Sequence, residues 1–92
     1  MTHDINTTLT ERGQSYGTFK GHAEISQGLK ELLEVAIASR DCDLAPDQAE
    51  ALQMICHKIA RIINGDPNYA DSWHDIAGYA QLVADRLNGV AR

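Results

Sequence analysis

The chain has 92 residues, 43% hydrophobic and 23% charged, with eight Lys and Arg against 13 Asp and Glu and a formal net charge of -5. That length allows one domain with a small core, for which oligomerisation is a common supplement. The acid excess argues against DNA or RNA as a partner, because duplex affinity comes from neutralising phosphates with Lys and Arg.

Residues 1-19 are predicted to form an arm or loop, since Thr7, Thr8 and Thr10 are poor helix formers and Gly13 and Gly17 punctuate the stretch. Its opening, MTHDINTTLTERG, has no apolar segment of the signal-peptide kind, so a cytoplasmic protein is expected. Residues 20-92 read as one helical domain. A first helix is predicted from about Gly21 to Ser39, with Ile25, Leu29, Leu32, Leu33, Ala36 and Ile37 at helical spacing and His22 on the same face. After a break at Arg40 to Pro46, a second helix starts near Pro46, because proline suits the first turn and Asp47 and Glu50 complement the dipole there. Its stripe is Leu52, Ile55, Ile59, Ile62 and Ile63, and Asn64-Gly65 ends it. A third helix is predicted over Ala70 to Leu87, with Trp73, Ile76, Ala77, Ala80, Val83 and Leu87 along one face. The fold expected is therefore all-α: a three-helix antiparallel domain with an N-terminal arm, assembled into a homo-oligomer. No run reaches the ~18 apolar residues of a membrane span. Cys42 and Cys56 are expected as reduced thiols, and Cys56-His57 matches no paired zinc signature.

Functional residues are sought on the faces turned away from those stripes. Lys58 and Arg61 end the second helix, and Asp71 and Asp75 open the third one turn apart. Cations and anions so placed are suited to a phosphate and its metal ion, or equally to a salt-bridged hairpin in which Asp71 caps its helix and Asp75 pairs with Lys58 or Arg61. The outer face of the third helix also carries Gly78 and Leu82, with Tyr79 beside them, and is a candidate subunit interface. In the arm, Arg12 offers a planar fork for phosphate and Tyr16 a stacking surface for a base; packing of Tyr16 and Phe19 over an open core edge is the competing reading. No Walker loop, dinucleotide fingerprint or Ser/His/Asp system is present.

The segments E-R-G-x-x-Y-G (Glu11 to Gly17), H-K-I-A-R-I-x-N-G (His57 to Gly65) and D-S-W-x-D-I-A-G-Y-A (Asp71 to Ala80) resemble a family of small phage and prophage proteins. More distantly, the pattern is similar to the all-α nucleotide pyrophosphohydrolases related to MazG. That likeness implies an E-x-x-E and a later E-x-x-D holding Mg²⁺ over a nucleoside triphosphate, in a dimer or tetramer. Glu31 and Glu34 match the first pair, whereas Asp71 and Asp75 depart from the second in spacing and residue type. The expectation is a phage-encoded protein that binds, and in a sequestering role retains, a small anionic nucleotide-type ligand without catalysis and without a cofactor. Arg12, Lys58 and Arg61 would meet phosphate, Tyr16 or Tyr79 would stack on a base, and Asp71 or Asp75 would accept from sugar or base donors. The alternatives are a Mg²⁺-dependent pyrophosphohydrolase and a structural oligomer.

Overall fold

A computed structural model describes residues 4-92, and within them every regular element is an α-helix. There are four, where the pattern predicts three: α1 (Ile5–Tyr16), α2 (Phe19–Ser39), α3 (Pro46–Asn64) and α4 (Ala70–Leu87). The expected arm is thus mostly helical, apart from residues 1-3, which lie outside the described residues. An N-cap offsets the weak propensity of its threonines. Asp4 caps the helix by accepting from the Thr7 N–H at 2.8 Å, and the Thr8 and Thr10 hydroxyls donate back to the carbonyls of Asp4 and Asn6. The α2 helix starts two residues earlier than expected, because the Thr18 hydroxyl accepts from the Gly21 N–H.

The helices α2 and α4 lie on opposite flanks of α3 and make no contact with each other, while α1 rests on α2 and α3. The result is an open layer centred on α3, with extents of 44 × 31 × 23 Å. Burial follows that geometry. The hydrophobic residues that disappear from solvent are Ala51, Ala60 and Ile62 on α3, at its seams with its neighbours. Several residues of the expected core stripes stay exposed instead: Leu32, Ile63, Trp73 and Leu87. Three helices in a layer can bury only the strips that face one another, so an apolar residue midway between two seams stays in water.

A joint between the α1–α2 turn and the end of α3 fixes the position of α1. Gly17 has φ 75°, a left-handed conformation that favours glycine, and a Cβ there would collide with the Asn64 carbonyl. Gly65 comes so close to the Ser15 carbonyl and the Tyr16 backbone that a Cβ would overlap both. The Asn64 amide donates to the carbonyls of Tyr16 and Thr18, each at 2.8 Å, and the Asp66 N–H donates to the Ser15 carbonyl at 2.9 Å. The Asn64-Gly65 pair therefore does more than end a helix: it seats the preceding turn through backbone approach.

Candidate functional site: a cationic aromatic groove at the α1–α2–α3 corner

The joint places the last turn of α1 over the last turns of α3. Arg61 stacks its guanidinium on the Tyr16 ring, 4.3 Å from the centroid. Tyr69, from the loop before α4, meets the same ring edge-on at 5.6 Å. A groove of about 470 Å³ opens beside this stack, lined among others by Arg12, Tyr16, Phe19, His22, His57 and Arg61. A second recess of about 270 Å³ shares Arg12, Tyr16 and Arg61 and adds Glu11, Ser15 and Tyr69. The larger groove is within the usual size of small-molecule sites. Phe19 is 81% exposed at this corner, a large apolar ring left in water.

The floor of the groove is a histidine pair. His22 Nε2 and His57 Nδ1 are 3.2 Å apart, one donating and the other accepting, with the rings edge to face. His22 is buried, and its Nδ1 has no hydrogen-bond partner among the described residues. Burial pushes His57 down to about 4, with His22, Arg61, Lys30 and Lys58 adding to the effect. Burial also lowers His22, reinforced by Arg61, Lys30 and Lys58. Both imidazoles are therefore neutral at pH 7, in surroundings whose positive potential disfavours a further proton and favours an anion.

Charge pairing separates this corner from the α4 side of the molecule. Among the described residues, neither Arg12 nor Arg61 takes part in an ion pair, whereas Lys58 binds Asp75 at 2.9 Å, Arg86 binds Asp47 at 2.6 Å and Arg92 binds Asp85 at 2.6 Å. The structure thus gathers Arg12, Tyr16 and Arg61 of the candidate residues into one groove. It sets Lys58 and Asp75 against each other across the α3–α4 hairpin. The Asp71 carboxylate sits by the Tyr69 hydroxyl, whose pKa it raises through a hydrogen bond. Tyr79 lies apart, on α4, lining two other recesses. One of these, about 530 Å³, is walled by Asp75, Gly78, Tyr79, Leu82 and Asp85; its one arginine, Arg92, is neutralised by Asp85. Size alone would favour it, but its charges give an anion no hold.

Of the aromatic and titratable groove residues, Phe19, His22 and His57 are absent from the candidate set. His22 is legible as a histidine on an apolar face, and His57 as the neighbour of Lys58 in the basic run; that they touch depends on how α2 crosses α3. The metal arrangement implied by the pyrophosphohydrolase likeness does not assemble within one chain. Glu31 and Glu34 are on α2, Asp71 and Asp75 are on α4, and those helices do not meet. Among the described residues no three His, Cys, Asp or Glu side chains come together as a metal-holding group. No helix of the described residues is long and apolar enough to cross a membrane.

These features define an open all-helical domain with a cationic, aromatic-lined groove. A model for a domain of unknown function, DUF6378, matches residues 3–87, and the chain belongs to that family. No curated protein and no solved structure matches it.

Proposed function

We propose that the corner groove captures a small phosphate-bearing ligand with a flat ring, a nucleotide-type anion, and releases it chemically unchanged. The observation that carries this reading is the convergence of Arg12 and Arg61, both without an ion pair among the described residues, on a groove walled by Tyr16, Phe19 and two neutral imidazoles. Arginine forks suit phosphate oxygens, and the exposed Phe19 ring offers a face to a base. The neutral histidine pair spends one N–H between its own rings and keeps one for an anion, and an anion bound above the pair stabilises its protonated form. Lys58 and Asp75, already paired, serve the hairpin in this reading, and neither Tyr79 nor Asp71 contributes to the groove. The resemblance to phage proteins supports a sequestering role, in which a host nucleotide is held rather than converted.

The test is calorimetry of the whole protein against nucleoside mono-, di- and triphosphates and cyclic nucleotides, with mass spectrometry of the ligand recovered afterwards. Binding in the micromolar range or tighter with an intact ligand is expected. No heat with any member of the panel, or recovery of a hydrolysed product, would overturn the proposal.

A further inference from the structure

We infer that the open apolar face along α3 is covered by a second copy of this chain, and that the homodimer interface is the missing half of the hydrophobic core. The inference stands on the shape and surface of the chain and does not depend on the groove.

On α3, Leu52, Ile55, Ile59 and Ile63 fall within about 80° of one another at 100° per residue. The seams lie to either side of them. Ala60 and His57 turn toward α2, while Ala51, Ile62 and Lys58 turn toward α4, as the His22 and Asp75 contacts of His57 and Lys58 require. Among the described residues no helix lies above the stripe between the seams. Leu52 and Ile55 line an apolar recess of about 320 Å³ together with Leu44, Ala80 and Val83, and Ile63 is 64% exposed. Trp73 lies two turns before Ala80 on the same side of α4 and is 55% exposed. Among the described residues no large side chain is fully buried.

The size of the defect matches a dimer. A compact monomer of 10.1 kDa exposes about 5,300 Å². This chain exposes 6683 Å². Its radius of gyration is 15.4 Å, against about 12 Å for a compact domain of this length. The surplus is about 1,400 Å², and a standard interface covers about 800 Å² per partner. Part of the surplus belongs to α1, which buries none of its residues. A single continuous patch on one side of a layer fits a two-fold contact in which each copy presents the same surface. This face differs from the Gly78–Leu82 side of α4, which points the other way.

Light scattering on the purified full chain, with Ile63→Glu and Leu82→Glu variants, tests the inference. The wild type should have twice the mass of one 10.1 kDa chain. Ile63→Glu should halve it and Leu82→Glu should leave it unchanged. Both side chains are exposed in the single chain, so neither charge disrupts existing packing. Trp73 provides a readout on the unmodified protein: dilution through the dissociation range should red-shift its emission and open it to acrylamide. A folded wild-type monomer would overturn the inference and leave the face to a different protein. So would a dimer lost with Leu82→Glu but kept with Ile63→Glu, or a Trp73 signal indifferent to dissociation. A dimer that binds no nucleotide would sustain this inference while refuting the groove.

Discussion

The two ends of the His57–Leu82 stretch use similar residues in opposite ways. In the α3–α4 hairpin, Lys58 meets Asp75 at 2.9 Å, and each charge is cancelled by its neighbour. One turn further along α3, Arg61 faces α1 instead and meets a tyrosine ring, with Arg12 lining the same groove. An ion pair holds two helices together and leaves little field for a ligand. An arginine that stacks on an aromatic ring is held equally well yet keeps its charge and its free N–H groups for something else. Proximity of cations and anions in sequence therefore says less about binding than which of the cations lacks an anion.

That contrast can be broken at the joint that creates it. The largest effect is expected from Gly65→Ala or Gly17→Ala, because the new Cβ would strike the backbone of Ser15 and Tyr16 or the Asn64 carbonyl. A loss of about 1–3 kcal/mol in urea unfolding is predicted, the usual scale of overpacking or positive-φ strain. Nucleotide binding should fall at the same time, while the Lys58–Asp75 side stays intact. Next comes Asn64→Ala, which removes the two hydrogen bonds to the Tyr16 and Thr18 carbonyls and should cost about 1–2 kcal/mol. Tyrosine fluorescence would report the departure of Tyr16 from Arg61.

The histidine pair sharpens the comparison through pH. His57 is depressed to about 4 in the folded chain, and His22 is lowered as well, against 6.5 for a free imidazole. Between those values the unfolded chain binds more protons than the folded one, so stability rises with pH. It should be fully present above about pH 6.5 and decline as the pH falls toward 4. His57→Gln should flatten that part of a stability–pH curve measured by thermal melts; an unchanged slope would remove the pair from the account. The smallest effect is predicted for Asp75→Asn, whose carboxylate is exposed and pairs with Lys58. Affinity for a nucleotide should change by less than about twofold.

Helices α2, α3 and α4 were legible in the sequence because their stripes and ends are local: Pro46 at a helix start, Asn64-Gly65 at a helix end. The first helix was not. Threonines and glycines obscured it, and the signal that could have exposed it was Asp4 as an N-cap. The residue types of the groove were legible in Arg12, Tyr16 and Arg61. Their meeting was not, because it depends on two glycines whose role is to bring backbones 48 residues apart into contact. The expected core stripes misled in one respect. Helical phase identifies the apolar side of a helix, but it does not say whether another helix of the same chain covers that side. Here Ile63 and Trp73 are on the apolar side and still exposed.

The most direct test of the central claim places the two cations of α3 side by side. Calorimetry with the tightest-binding nucleotide should show Arg61→Ala weakened by at least about tenfold, or ~1.4 kcal/mol. Lys58→Met, which keeps the aliphatic stem and removes the charge, should bind within about twofold of the wild type. Equal losses in the two variants, or a loss confined to Lys58→Met, would contradict the account and return the ligand to the α3–α4 hairpin.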